Sequence, residues 1–73
     1  MITKKEFKEA IETVERNRNP CCDGIEVKNI KIKEKYIHAD VHIHEDCGEK
    51  TTIYRDLEYD RDRLEKVVHR GYI

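Results

Sequence analysis

The sequence lacks a long apolar run and an excess of charge of either sign. No stretch approaches the roughly 20 apolar residues of a membrane span, and the start, MITKKEFKEAIE, lacks a signal-peptide core. The net charge of −1 excludes the positive excess that non-specific nucleic-acid binding requires, and it is also too balanced for a strong acidic mimic of DNA. These absences predict a cytoplasmic protein that does not enter a membrane.

The number of cysteines is odd, with three in 73 residues. An odd count in a reducing compartment argues against a disulfide framework, so the cysteines are free thiols or metal ligands. The chain is long enough for a single domain, residues 1–73, with a modest core. A domain of this size gains from additional stabilisation by a metal or a partner subunit.

The first segment has the pattern of an amphipathic helix. Thr3 is placed as the N-cap and Glu6, three residues later, as its capping-box partner. The helix is expected to end near Arg18, because Pro20 restricts the residue before it to extended geometry. Charged residues, Glu15 among them, are assigned to the solvent-facing sides. The apolar positions at helical spacing are Phe7, Ala10, Ile11 and Val14.

From Ile25 the apolar spacing changes to two, which is typical of β-strands. The alternation in IEVKNIKIK slips by one residue around Lys28 and Asn29 and predicts a β-bulge. A tight turn is expected between Glu34 and Lys35, followed by the clearest strand, YIHADVHIH. The third strand, KTTIYRDLEY, is predicted to place Ile53 and Leu57 on the apolar face, which also turns Arg55 inward opposite Ala39.

The last segment reads as a second helix. Asp60 is its expected N-cap, Gly71 its C′ residue, and Tyr72 or Ile73 the closing apolar contact. Its apolar stripe consists of Leu64, Val67 and Val68. The order α-β-β-β-α predicts an α+β fold, a three-stranded antiparallel sheet with both helices on one face.

This order resembles the double-stranded-RNA-binding domain over nearly the whole chain. That family has a Gly-Pro-x-His loop between its first two strands and a lysine cluster at the start of its second helix. Here the loop is KEKY and the helix start is YDRDRLEK, with acids interleaved. The resemblance therefore implies the topology alone, and the cations for binding RNA do not carry over.

Two loops with possible metal ligands are predicted to meet at one end of the sheet. With the turn at Glu34–Lys35, Cys22 lies opposite Cys47, or Cys21 does if the bulge is counted. The run HEDCG resembles the knuckle of zinc ribbons. The predicted cofactor is zinc, with Cys21, Cys22, His44 and Cys47 as ligands.

Two alternatives to this ligand set stay open. Adjacent cysteines are an unusual pair, so one can be replaced by His42, Asp46 or Asp23. The cysteines can also be reduced thiols in polar loops, with His44 at the end of a solvated strand. HIHED resembles the H-x-H-x-D run of metallo-β-lactamase-type hydrolases, but Cys47 stands where that family has a histidine, and those enzymes are far longer. No enzyme is expected.

Two stretches are candidates for binding a partner. The segment YRDLEYDRDR combines aromatic, arginine and acidic residues, which interfaces favour, although Tyr59 can instead pack on the core. The second stretch is the polar face of the middle strand. The predicted contact residues are Tyr54, Arg55, Asp56, Tyr59, Asp60, Arg61 and Arg63 on the segment, and His38, Asp40 and His42 on the strand.

The combined prediction is a small non-enzymatic module, stabilised by zinc, that inhibits or bridges a larger protein. Inhibitors from phages and mobile elements, such as anti-CRISPR proteins, are the favoured class by size and charge. The alternative is a nucleic-acid-binding domain of the double-stranded-RNA-binding or zinc-ribbon type. A homodimer is also possible, because a three-stranded sheet has exposed strand edges.

Overall fold

The computed structural model describes residues 2–70 and has the predicted α-β-β-β-α order, so the α+β prediction is confirmed. The sheet is antiparallel with strand order β1-β2-β3. The predicted helix closure by Gly71 with Tyr72 or Ile73 lies outside the described residues. The elements are α1 (Lys4–Arg18), β1 (Gly24–Ile32), β2 (Tyr36–Glu45), β3 (Lys50–Asp60) and α2 (Arg61–His69).

Helix α1 begins with the predicted capping box. The Glu6 N–H donates to the Thr3 hydroxyl at 3.2 Å, and the Thr3 N–H donates to the Glu6 carboxylate at 3.1 Å. Each bond satisfies a backbone group that a helix start would otherwise leave unpaired. The expected apolar stripe faces the sheet, with Phe7 and Ile11 almost completely buried. Glu15 does not lie on a solvent-facing side as expected, because it is only 4% exposed.

The pairing of β1 with β2 follows the predicted register. Ile32 lies opposite Ile37 at the hairpin. Between Lys28 and Lys31 the register shifts by one residue, and Asn29 takes a left-handed conformation with φ of 54°. This is the predicted bulge. Beyond it the apolar residues face each other again, because the extra residue restores the phase of the alternation.

The pairing of β3 with β2 contains a second bulge, which the sequence analysis did not predict. Leu57 lies opposite Ala39, but the register then shifts and Tyr54 lies opposite Val41. Asp56 has a φ of 52°, the left-handed conformation that Asp and Asn adopt most readily among non-glycine residues. Everything in β3 before this bulge is therefore turned to the other face of the sheet.

Two predictions about β3 were wrong for this reason. Ile53 does not lie on the apolar face. It pairs with His42 on the polar face and is 49% exposed. Arg55 does not point inward. It lies at the bulge beside Asp56 and is exposed. Tyr54 takes the helix-side position that Ile53 was expected to fill.

The core lies between the helices and one face of the sheet. Helix α2 is capped by the Asp60 side chain, which accepts from the N–H groups of Asp62 at 3.0 Å and Arg63 at 3.4 Å, as predicted. Each large apolar side chain buried here contributes roughly 1.5–3 kcal/mol by its removal from water. The buried core residues are Phe7, Ala10, Ile11, Ile25, Val27, Ile30, Ile37, Ala39, Val41, Ile43, Tyr59 and Leu64.

Candidate functional site

The two cysteine-bearing loops meet at one end of the sheet. The Asp23 N–H donates to the His44 carbonyl at 2.7 Å, and the Cys47 N–H donates to the Asp23 carboxylate. The predicted meeting of the two loops is therefore present, and it is made by one backbone hydrogen bond and by the carboxylate of Asp23. The tight turn after β2 has positive φ angles at Asp46, Cys47 and Gly48, of 53°, 59° and 87°.

The four predicted zinc ligands have different surroundings in the structure. Cys22 packs against the core, whereas Cys21 and Cys47 are exposed free thiols. Both ring nitrogens of His44 have other partners: Nε2 lies 2.8 Å from the Glu26 carboxylate and Nδ1 lies 2.9 Å from the Thr51 hydroxyl. Within residues 2–70, no group of three or more His, Cys, Asp or Glu side chains is placed to hold a metal ion. Zinc binding stays a prediction.

The sheet face opposite the helices, called the outer face below, carries mostly polar side chains. In antiparallel pairs, facing residues lie on the same side of the sheet, so the register defines its membership. Its central column, on β2, holds one tyrosine, three histidines and one aspartate, as the sequence pattern predicted. Its members are Tyr36, His38, Asp40, His42 and His44 on β2, Glu26, Lys28 and Lys31 on β1, and Thr51, Ile53 and Glu58 on β3.

Asp40, at the centre of the outer face, joins the two bulges. One carboxylate oxygen accepts from the Asn29 amide at 2.8 Å, and the other accepts from the Asp56 N–H at 2.9 Å. Asn29 and Asp56 are the left-handed residues of β1 and β3. The hydrogen bond from Asn29, followed by that from the Asp56 backbone, holds the pKa of Asp40 below its ordinary value. Asp40 is therefore a charged acceptor that fixes the strands on both sides.

His38 lies between two exposed carboxylates of β3. Its Nδ1 is 3.2 Å from the Asp56 carboxylate and its Nε2 is 3.7 Å from that of Glu58. Nδ1 is buried, and its contact with Asp56 is not aligned as a hydrogen bond. The Asp56 and Glu58 side chains are 70% and 57% exposed. Asp40 and Glu58 on the outer face, together with Asp56 at the β3 bulge beside His38, are named the acidic stripe here. The carboxylates of Asp56 and Glu58 are exposed to solvent, whereas that of Asp40 is partly buried.

The other half of the outer face is balanced in charge. Glu26 contacts the His44 ring and also lies 3.3 Å from the Lys28 ammonium. The hydrogen bond with His44, and then that with Lys28, lowers the pKa of Glu26. Because Glu26 and Lys28 pair with each other, the remaining carboxylates on this side of the sheet are those of the acidic stripe, which lie beside His38 and Arg55.

Three of the predicted contact residues between Tyr54 and Arg63 hold the fold together. Tyr59 is 8% exposed and its hydroxyl donates to the Glu15 carboxylate at 2.9 Å. Asp60 caps α2. Arg61 donates to the Lys33 carbonyl at 3.0 Å, and its guanidinium lies 5.9 Å from the centre of the Phe7 ring.

The remaining residues of that segment lie on three different surfaces. Arg55 and Asp56 lie at the β3 bulge, opposite Asp40. Tyr54 is on the helix side, 44% exposed. Arg63 lines an open groove between α1 and α2. A stretch that is continuous in the sequence is therefore not a continuous surface, because the strand ends inside it and a helix begins.

Comparisons of the chain with models of protein families, with curated proteins and with solved structures found no match in any of the three. Neither described helix combines the length and the apolar composition needed to cross a membrane. The functional argument therefore depends on the geometry of the described surface.

Proposed function

We propose that this protein is a non-enzymatic module that binds a larger protein through the outer face, with the acidic stripe contacting a cluster of arginine and lysine side chains. The observation that supports the proposal is the position of the stripe. Both helices cover the opposite face, so Asp40, Asp56 and Glu58 lie on a side of the sheet that no described element covers. Complementary charge accelerates association and rejects partners of like charge.

The framework of this surface is ordered before a partner arrives. The strands on both sides of Asp40 are fixed by its two hydrogen bonds. A preorganised surface loses less conformational entropy on binding than a mobile loop does. Tyr36, 44% exposed on the same face, supplies an aromatic contact of the kind that often dominates binding energy.

The predicted contact set is revised by these positions. We retain His38, Asp40, His42, Arg55 and Asp56, and we add Glu58. Tyr59, Asp60 and Arg61 are left out because each is engaged within the fold. Tyr54 and Arg63 are left out because they do not lie on the outer face.

A surface of this chemistry suits an inhibitor of a nucleic-acid-binding enzyme. Such enzymes present clustered cations to the phosphate backbone, and a protein that covers those cations blocks the substrate. This keeps phage and mobile-element inhibitors, including anti-CRISPR proteins, as the favoured class and the cytoplasm as the proposed location. The proposal does not require zinc.

The test uses two charge reversals that change the net charge equally. Glu58→Lys alters the acidic stripe, whereas Glu9→Lys alters an exposed position of α1. A partner is isolated by crosslinking to the unmodified chain, and its affinity for each variant is measured by calorimetry. We expect Glu58→Lys to weaken binding about tenfold or more and Glu9→Lys to leave it within about twofold. Equal affinity of the two variants would show that the outer face is not the contact surface.

One observation favours nucleic acid as the second candidate. The groove between the helices is lined by four cations, Arg18, Arg63, Lys66 and Arg70. Asp60 and Asp62 also line it and reduce its net charge. Binding there would weaken steeply with salt. Filter binding of duplex RNA and DNA at low salt tests this candidate, and no retention of either would remove it.

A further inference from the structure

The groove between α1 and α2, named the basic groove here, has cations on both of its walls. Arg18 lines it from α1, and Arg63, Lys66 and Arg70 line it from α2. The three α2 residues are separated by three and then four positions, so they share one face of that helix. With a rise of about 1.5 Å per residue, their backbone positions span about 10 Å along the helix. The groove therefore presents a row of positive charges.

The cations that α2 contributes have no counter-ion in the described chain. On another face of this helix, Arg61 pairs with Glu65 at 3.4 Å. In contrast, none of Arg63, Lys66 and Arg70 forms an ion pair within residues 2–70. Arg63 lies in the first turn of α2, where the positive end of the helix dipole disfavours a cation. Lys66 and Arg70 suit the negative end, but like charges at four-residue spacing repel each other. A bound anion would offset both costs.

The basic groove keeps an excess of positive charge although two carboxylates line it. Asp60 and Asp62 lie at the start of α2, against four cations in the whole groove. The Asp60 carboxylate is engaged as the helix cap, where it accepts from two backbone N–H groups. Arg18 donates to Glu15 through one terminal nitrogen, and a guanidinium has five N–H donors in total. Arg18 therefore retains donors for a ligand.

We propose that the basic groove binds a small molecule that carries a chain of two or three phosphate groups. Arginine forks match phosphate oxygens in a bidentate manner, and lysine adds a point charge. The groove has a volume of about 820 Å³, within the range of roughly 300–1,000 Å³ for small-molecule sites. Val14 and Val67 are half-buried in the same groove and provide an apolar surface for the body of the ligand.

The number of cations favours a small ligand over nucleic acid. Strong binding to a duplex typically involves about 6–10 phosphate contacts. The basic groove offers four cations, and the carboxylates at the start of α2 would repel a phosphate backbone that continued past them. A chain of two or three phosphates needs no more cations than the groove has. The groove is on the helix side of the sheet, so this proposal is independent of a partner at the outer face.

A second group of cations serves as a comparison within the same molecule. Lys4, Lys5 and Lys8 lie on the first turns of α1, beside β1. The residues that β1 contributes there are uncharged, and the described lining of this surface contains no arginine. It therefore lacks both the bidentate donors and the second cationic wall of the basic groove. We expect phosphate chains to prefer the basic groove.

A titration followed by amide NMR shifts tests the site in the unmodified chain. The probes are ATP, tripolyphosphate and adenosine, each added at low salt without divalent cations. We expect ATP and tripolyphosphate to shift amides of residues 14–18 and 60–70, with dissociation constants on the order of 10⁻⁵–10⁻³ M. Adenosine should bind at least about tenfold more weakly. Equal affinities of the two phosphate probes support binding of the phosphate chain alone, and tighter binding of ATP supports an added contact with the valines.

Two double variants with the same change of net charge locate the site. Arg63→Gln combined with Lys66→Gln removes two cations of the basic groove, whereas Lys5→Gln combined with Lys8→Gln removes two of the second group. All four side chains are exposed, so both variants should fold. We expect the first to raise the dissociation constant for tripolyphosphate about tenfold or more, and the second to leave it within about twofold.

Several results would overturn the proposal. One is the absence of a saturable shift up to about 10 mM of either phosphate probe. Another is an equal effect of the two double variants, or no effect of the groove variant, since either shows attraction to charge without a site. Tighter binding of duplex RNA or of an oligo-glutamate peptide than of tripolyphosphate would assign the groove to a macromolecule instead.

Discussion

Replacing Tyr59 by phenylalanine should remove one of the most important polar contacts in the molecule. The Tyr59 hydroxyl donates at 2.9 Å to the same Glu15 oxygen that accepts from Arg18 at 3.1 Å. The Glu15 side chain is only 5% exposed, so water cannot fully replace a lost partner. A hydrogen bond to a charged group contributes about 1.5–3 kcal/mol, and we expect Tyr59→Phe to cost this amount.

That cost is a large share of the total free energy of unfolding. A domain of this length has a free energy of unfolding of roughly 4–11 kcal/mol, and a loss of 2 kcal/mol lowers its midpoint temperature by about 8–16 °C. The assay is urea unfolding followed by far-ultraviolet circular dichroism, with Tyr36→Phe as the control. Tyr36 is exposed, and the loss of its hydroxyl should change the free energy of unfolding by less than about 0.5 kcal/mol.

A double-mutant cycle isolates the contact itself. In the Glu15→Gln background the charged acceptor is gone, so Tyr59→Phe should cost about 1 kcal/mol less than in the unmodified chain. An equal cost in both backgrounds, or a cost below about 0.5 kcal/mol in the unmodified chain, would refute the reasoning.

The same pair predicts the behaviour in alkali. Burial first, and then the hydrogen bond to Glu15, raise the pKa of Tyr59. The unfolded tyrosine ionises near pH 10, so its contribution to stability is complete below about pH 10 and is lost as the pH rises further. The Tyr59→Phe variant should therefore lose less stability than the unmodified chain when the pH rises above about 10.

Two further predictions concern the outer face and the turn after β2. Because folding lowers the pKa of Asp40, the contribution of this carboxylate to stability is complete above the ordinary aspartate pKa of about 3.9. It is lost as the pH falls through the pKa of Asp40 in the folded state. The stability difference between the unmodified chain and Asp40→Asn in urea should therefore be larger at neutral pH than at about pH 3, and an unchanged difference would contradict the role given to Asp40. Cys47 has a φ of 59°, a conformation that asparagine adopts more readily than cysteine. Without metal, the free energy of unfolding of Cys47→Asn should therefore equal that of the unmodified chain or exceed it by up to about 1 kcal/mol. A bound zinc ion would reverse that order, and native mass spectrometry before and after chelation would detect it.

The sequence predicted the first hairpin well because its bulge disrupts a visible pattern. In IEVKNIKIK the apolar residues change phase once, and the structure has its register shift at that point. No such mark precedes the second bulge. In TTIYRDLEYD both phases place one large residue inside, either Ile53 or Tyr54, so the alternation could not decide between them.

The buried acid was missed for a different reason. Glu15 lies in a run of charged residues with helical spacing, and nothing local distinguishes it from its exposed neighbours. Its partner Tyr59 is 44 residues away in the sequence, so only the assembled fold brings the two together.

The prediction for the cysteine loops was correct in one part only. Strand register predicted that they meet, but the residue that joins them, Asp23, was considered only as a substitute metal ligand.

The attachment of both bulges to Asp40 also bears on errors of folding. A slip of one residue would turn buried apolar side chains to the outer face, but a slip of two residues keeps every side chain on its own face, so the polar–apolar alternation alone does not exclude it. Here a slip of either outer strand would separate its left-handed residue from Asp40 and leave the carboxylate short of a donor. Asp40 on the central strand therefore sets the register of both outer strands. A misaligned hairpin, including one exchanged between two chains, would lose a hydrogen bond to this residue.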